Sequence, residues 1–202
     1  MHVSGQPESD PAVPRVRVAN IANVLTGVRL VLVPIFLLFL FAGDGHESAS
    51  RITAFVIFAV AVITDRLDGS LARTYGMVTE FGKLADPIAD KALTGMAFIG
   101  LSINGELWWW VTILILVREW GITLLRFLML KYGVMAANRG GKLKTVTQAV
   151  AVILYLLPLP GWAEPVAWVV MGIAFLLTMV TGLDYCWQAW KLRRDALRAG
   201  AG

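Results

Sequence analysis

Cysteine and histidine are almost absent from this chain, and charge is sparse. The single cysteine, Cys186, excludes an intrachain disulfide and a thiolate-bound metal cluster. The two histidines, His2 and His46, have no catalytic neighbour in the sequence, which argues against serine–histidine or cysteine–histidine chemistry. Only 16% of the 202 residues are charged against 57% hydrophobic, and mean hydropathy is +0.68. A composition so poor in charge excludes a disordered chain and an ordinary soluble domain, and points to an integral membrane protein. No internal repeat is visible, which argues against an inverted-repeat transporter. Residues 1–19 lack the charged-then-apolar order of a signal peptide and are expected to form a flexible cytoplasmic tail.

Apolar sequence is abundant, and it comes in blocks of spanning length. A membrane span needs about 20 largely apolar residues. Six stretches qualify, 24–42, 51–67, 87–103, 108–130, 145–160 and 165–187. The expected fold is therefore all-α, a polytopic membrane protein with six transmembrane helices. One membrane domain covers 20–190, followed by a basic cytoplasmic tail over 191–202. Arg15 and Arg17, then Arg66, Arg73 and Lys83, then Lys131, Arg139, Lys142 and Lys144, then Lys191, Arg193, Arg194 and Arg198 occupy alternate connections and ends. The other connections carry Asp44, Glu47, Glu106 and Glu164, with Arg51 as the one basic exception. The positive-inside rule then puts both termini in the cytoplasm. The net charge of +4 is accordingly assigned to topological anchors, lipid-headgroup contacts and binding groups, and no nucleic acid is expected.

Against this apolar background stand four aspartates, Asp65, Asp68, Asp86 and Asp90, in the pattern D-x2-D-G-x2-A-R-x8-G-x3-D-x3-D. The remaining fixed positions are Gly69, Ala72, Arg73 and Gly82. Spacings of three and four put each pair on one helical face. Carboxylates at a membrane boundary are costly unless cations compensate them. All-oxygen donors suit Mg²⁺ or Mn²⁺, and two such ions could clamp a diphosphate for in-line displacement. Gly69 and Gly82 leave room for close approach, Ala72 keeps the same face small, and Arg73 offers a fork for phosphate oxygens. Asp86 precedes Pro87, a favourable start for a helix. One aspartate alone would read as an interfacial helix cap. A cation or proton transporter would explain carboxylates, but not the two glycines and Arg73 set between them.

With every fixed position matched, the pattern resembles that of the CDP-alcohol phosphotransferase family. The resemblance implies a six-helix membrane enzyme of the bacterial cytoplasmic membrane, typically a homodimer, with a two-metal site facing the cytoplasm. It implies that Asp65, Asp68 and Asp86 bind metal, and that Asp90 contributes to the second metal and serves as general base. It implies further that Gly69, Ala72, Arg73 and Gly82 shape the CDP site, together with Asp65 and Asp68. Asn23, Thr26 and Arg29, spaced by threes at the opening of the first span, would join the nucleotide. On residues alone, Asn23 could equally cap a helix and Arg29 could snorkel to the interface.

The acceptor is read from the second half. Arg118, Glu119 and Arg126 lie in an apolar span, where charge is rare without a function; an internal ion pair is the plainer explanation. Arg139, Gly140, Gly141, Lys142 and Lys144 open the fifth span and would suit an anion pocket as well as a positive-inside loop. The opening segment, residues 78–91, Arg118 to Trp120 and Gly141 to Thr145 are together similar to those family members whose acceptor is glycerol 3-phosphate. That similarity implies transfer of a phosphatidyl group from CDP-diacylglycerol. Arg118, Arg126, Arg139, Lys142 and Lys144 are the expected acceptor-phosphate ligands, Arg118 and Lys142 foremost. Phosphatidylglycerol or inositol phosphate as acceptor are the alternatives within the family.

Overall fold

The computed structural model describes residues 21–74, 80–130, 132 and 139–199, with side chains described over 27–64, 91–130, 132 and 140–198. Six long helices account for most of them: α1 (Ile21–Phe41), α2 (Ser48–Thr74), α3 (Glu80–Ile103), α4 (Trp109–Met129), α5 (Arg139–Leu156) and α6 (Glu164–Ala199). Each overlaps one of the six apolar blocks. The expected tail over residues 1–19 lies outside the described residues.

The helices overrun the apolar blocks at several ends. The apolar block of α2 was expected to stop near residue 67, yet the helix runs to Thr74. α3 starts at Glu80, so Pro87 falls inside the helix instead of opening it. α6 continues through the basic segment to Ala199. The physical reason is that hydropathy marks the part of a helix that sits in an apolar medium. The backbone ladder needs no apolar side chains and continues past it.

α1 lies against both α2 and α3, and α6 lies against both α4 and α5; contacts of α2 and α3 with α5, and of α3 with α4, close the bundle. Phe36 and Leu40 of α1, Phe58 of α2, Phe98 and Leu101 of α3, Ile115 of α4 and Val152 of α5 fill one apolar core. The Phe36 and Phe58 rings pack 5.8 Å apart. Gly100 admits the α1–α3 approach, since a β-carbon there would overlap Leu40 Cδ2.

Polarity is partly inverted relative to a soluble protein. Ile52, Val56, Val60 and Ile63 form an exposed stripe on α2, and Val169, Ile173, Leu176, Val180 and Leu183 form one on α6. Inside, hydroxyls and amides tie helix to helix: Ser102 to Thr112 at 2.7 Å, and Gln148 Nε2 donating to Thr178 Oγ1 at 2.8 Å. Such apolar exteriors mark a surface that meets lipid or partner protein. Exposed tryptophans flank the apolar stretch of α6, Trp162 and Trp168 before it and Trp187 and Trp190 after it. Between Trp168 and Trp187, α6 rises roughly 28 Å, close to the ~30 Å of a hydrocarbon core. Among the described residues, two stretches are long and apolar enough to cross a membrane, Gly27–Gly45 and Gly161–Arg198; Ser48–Thr64 and Lys91–Ile103 are shorter apolar helices.

Arg51, the exception to the charge pattern, is 7% exposed and acts as a staple. Its guanidinium pairs with Glu106 and donates to the carbonyls of Gly45 (2.8 Å), Leu156 (3.4 Å) and Tyr155. One side chain thus ties the α1–α2 turn, the α3–α4 turn and the end of α5. A cation so engaged is a structural group rather than a free loop charge, which removes the exception to the topological pattern.

Candidate active site

The aspartate pattern falls on two successive helices. Asp65, Asp68, Gly69, Ala72 and Arg73 lie toward the C-terminal end of α2, and Gly82, Asp86 and Asp90 in the opening turns of α3. Helical backbone at both places puts each aspartate pair one turn apart. Their side chains lie outside the described residues, as do those of Asn23 and Thr26 in the first turns of α1. The donor set available on these helices consists of carboxylate oxygens, which is the chemistry a hard divalent cation takes. Arg29 is described: it is 4% exposed, so its guanidinium is held within the protein and does not snorkel out to solvent.

Cations expected to bind the acceptor converge on a second cluster built by α4, α5 and α6. Glu119 Oε1 accepts from Arg118 Nη1 at 3.0 Å and from Lys144 Nζ at 2.5 Å. Arg118 also donates through Nη2 to Thr181 Oγ1 at 2.8 Å, while its buried Nε finds no acceptor among the described residues. The Tyr185 ring carries two guanidinium groups, Arg126 at 4.5 Å and Arg118 at 5.9 Å. Lys144 and its carboxylate are 8% and 16% exposed, so the pair sits largely out of solvent.

Two glycines make this convergence possible. A β-carbon on Gly182 would come within 3.0 Å of Arg118 Cγ and 3.1 Å of its Nε; α6 is bare where the arginine crosses it. A β-carbon on Gly141 would meet the Tyr185 hydroxyl at 3.2 Å.

α3 carries both the last aspartate of the pattern and a member of the cationic cluster. Lys91, next in the chain after Asp90, donates to the backbone carbonyl of Glu119 at 3.0 Å and lies 5.7 Å over the Trp120 ring. A narrow cleft of about 30 Å³ between α3, α4 and α5 is lined by Lys91, Glu119, Trp120, Lys144, Thr145 and Gln148. The cationic cluster therefore begins one residue from the last aspartate of the pattern.

Of the expected acceptor ligands, Arg118, Arg126 and Lys144 come together. Lys142 is exposed on α5, and the side chain of Arg139 lies outside the described residues. The internal ion pair between Arg118 and Glu119 is present, with Lys144 as a third member. Sequence reasoning did not single out Lys91, Thr181, Gly182 or Tyr185. A signal was available: Thr178, Thr181, Gly182 and Tyr185 follow i, i+3, i+4, i+7 in an apolar helix, a polar and small stripe facing inward. Asp184 accepts from Gln188 Nε2 at 2.8 Å, in keeping with an interfacial role.

The family model described as CDP-alcohol phosphatidyltransferase matches residues 19–180, and the chain belongs to that family, whose members are membrane-associated, metal-dependent enzymes of phospholipid synthesis. Within it the chain is 58% identical to a probable phosphatidylglycerophosphate synthase of Mycobacterium tuberculosis, over 94% of this chain and 90% of that protein. It is 35% identical to a CDP-diacylglycerol–glycerol-3-phosphate 3-phosphatidyltransferase of Bacillus subtilis, over 85% of this chain and 96% of the relative. A protein of the same name from Rickettsia typhi is 36% identical over 82% of this chain and 94% of its own length.

Proposed function

We propose that the chain transfers the phosphatidyl group of CDP-diacylglycerol to the primary hydroxyl of glycerol 3-phosphate, releasing CMP and forming phosphatidylglycerophosphate. The observation that carries this reading is the junction of the two clusters. A four-aspartate pattern suited to a diphosphate ends at Asp90, and the next residue, Lys91, belongs to a buried cationic cluster suited to an anionic acceptor. An acceptor without a phosphate, such as choline, would leave Arg118, Arg126 and Lys144 with no ligand chemistry to match. The names of the relatives support the same acceptor.

In this reading Asp90 takes the proton of the acceptor hydroxyl. The freed oxygen attacks the phosphorus that carries diacylglycerol, and the bond from that phosphorus to the CMP phosphate oxygen breaks. Arg118, Arg126 and Lys144 hold the acceptor's phosphate, with Arg139 and Lys142 at the mouth of the same region. Arg29, Asn23, Thr26, Gly69, Ala72, Arg73 and Gly82 hold the nucleotide and its diphosphate. Asp65, Asp68, Asp86 and Asp90 would hold Mg²⁺ or Mn²⁺, two ions in all, which neutralise the diphosphate and stabilise the leaving oxygen. The chain acts as a six-span protein of the bacterial cytoplasmic membrane, with both termini and the aspartate end facing the cytoplasm. It works as a homodimer. The spacing of the tryptophans along α6 supports the spanning arrangement.

Purified protein supplied with CDP-diacylglycerol, Mg²⁺ and labelled glycerol 3-phosphate tests the assignment. Labelled phospholipid and CMP in equal amounts are expected. Transfer to phosphatidylglycerol or inositol phosphate instead would replace the acceptor.

A further inference from the structure

Glu119 is a charged residue in the middle of α4 to which neither the aspartate pattern nor the proposed proton transfer gives a task. Four contacts converge on it, from α3, α5 and its own helix. Its Oε1 takes Arg118 Nη1 at 3.0 Å and Lys144 Nζ at 2.5 Å, and its backbone carbonyl takes Lys91 Nζ at 3.0 Å and Thr123 Oγ1 at 2.9 Å. The carboxylate thus takes two cations, and a third is held on the backbone carbonyl of the same residue. The side chains of Arg118, Glu119 and Lys144 are 10%, 16% and 8% exposed, so solvent screens them poorly.

We propose that Glu119 is the positioning residue of the acceptor site: its carboxylate draws Arg118 of α4 and Lys144 of α5 onto one point, so that the phosphate-binding pair is assembled before the acceptor arrives. The proposal rests on the assignment of Arg118 and Lys144 to the acceptor's phosphate.

Three features favour positioning over simple neutralisation. Arg118 is also fixed at its far side by Thr181 and flanked by the Tyr185 ring, so its fork is set in orientation as well as in place. Its Nε remains a buried donor without an acceptor among the described residues, a hydrogen-bonding capacity still to be used. The cleft beside Lys91, Glu119 and Lys144 has a volume of about 30 Å³, room for about two waters. Lys144 and Glu119 face this one narrow space, with the lysine already held by the carboxylate. Without the carboxylate, Arg118 and Lys144 would repel each other in a poorly screened site and drift apart. Preassembly of this kind lowers the ordering cost of binding.

The test is steady-state kinetics of the purified enzyme with both substrates varied. Glu119→Gln retains the volume and loses the charge. The expected result is a KM for glycerol 3-phosphate raised by about tenfold or more, with the KM for CDP-diacylglycerol within about twofold of the parent. Glu119→Asp, which keeps the charge on a shorter arm, should return the acceptor KM part of the way, a rescue that a purely structural role would not give. Arg118→Gln and Lys144→Gln serve as references, and nucleotide binding with unchanged melting temperature serves as the check on folding. An unchanged or lowered acceptor KM in Glu119→Gln, with a raised one in Arg118→Gln, would overturn the proposal and leave the acceptor site standing. If Arg118→Gln and Lys144→Gln also leave the acceptor KM unchanged, the acceptor assignment itself is wrong and the proposal falls with it. Should Glu119→Gln not fold, Glu119→Asp decides alone: parental values for both substrates would contradict a role that depends on reach.

Discussion

Lys144 of α5 and Glu119 of α4 meet at 2.5 Å inside a helical bundle whose outer face is lined with valine, leucine, isoleucine and tryptophan. An ion pair in such surroundings contributes little net stability, because both charges have been taken out of water. Its presence is better explained by what the two cations beside it can hold. The same contrast recurs at Arg51: apolar side chains outward, and buried charge gathered in a site and a staple.

The aspartates carry the chemistry in this account. Asp90→Asn removes the proton acceptor while keeping the shape of the side chain. The rate of CMP release should fall by about 10²–10⁴-fold, with nucleotide binding largely kept in a direct binding measurement. A rate within a few-fold of the parent would end the assignment of Asp90 as base.

Chelation gives a second test. With EDTA in excess, CMP release should stop, and it should return on addition of Mg²⁺ or Mn²⁺. Asp65→Asn and Asp86→Asn should each raise the metal concentration needed for half-maximal rate, since each removes a charged oxygen from the donor set. Full activity in the presence of chelator would contradict a metal-dependent displacement.

Gly182 offers a steric probe that adds no charge. A β-carbon there would press on Arg118 at 3.0–3.1 Å, so Gly182→Ala should displace the guanidinium by a few tenths of an ångström. The acceptor KM is expected to rise several-fold with the KM for CDP-diacylglycerol unaffected. Equal effects on both would mean that α6 supports the whole site and not the arginine alone.

Arg51 lies in the part of the molecule remote from the aspartates, and its removal should separate stability from catalysis. Arg51→Gln leaves Glu106 and the carbonyls of Gly45 and Leu156 without their donor. Breaking a buried pair in this way costs about 3 kcal/mol, which thermal unfolding in detergent would read as a clear drop in melting temperature. The KM values of the surviving enzyme should match the parent. An unchanged melting temperature would show that the staple is not needed.

Much of this was legible in the chain. Six apolar blocks gave six helices, because a long run of buried or lipid-facing side chains has few other ways to satisfy its backbone. The aspartate pattern stood out because it is local: all eight fixed positions fall within residues 65–90. Helix ends were less legible, as the polar turns up to Thr74 and from Glu80 carry no hydropathy signal. The acceptor site was half legible. Arg118 and Arg126 were visible as charges in the wrong medium and Lys144 as part of a basic run, but the choice between Lys142 and Lys144 depends on which side of α5 faces Glu119. Partners such as Thr181 and Tyr185 come from a helix more than fifty residues further along, and only the packing of α6 on α4 brings them in. Arg51 was legible as an anomaly and became intelligible only with Glu106 beside it.

In the proposed reaction one site joins a CDP-linked lipid to glycerol 3-phosphate. The most direct measurement supplies the purified protein with CDP-diacylglycerol, a divalent cation and labelled glycerol 3-phosphate, and follows lipid and nucleotide together. Labelled phosphatidylglycerophosphate and CMP in one-to-one ratio, lost in Asp90→Asn and requiring far more glycerol 3-phosphate in Arg118→Gln, are the predicted result. CMP release that ignores glycerol 3-phosphate, or no CMP release with any acceptor, would contradict it.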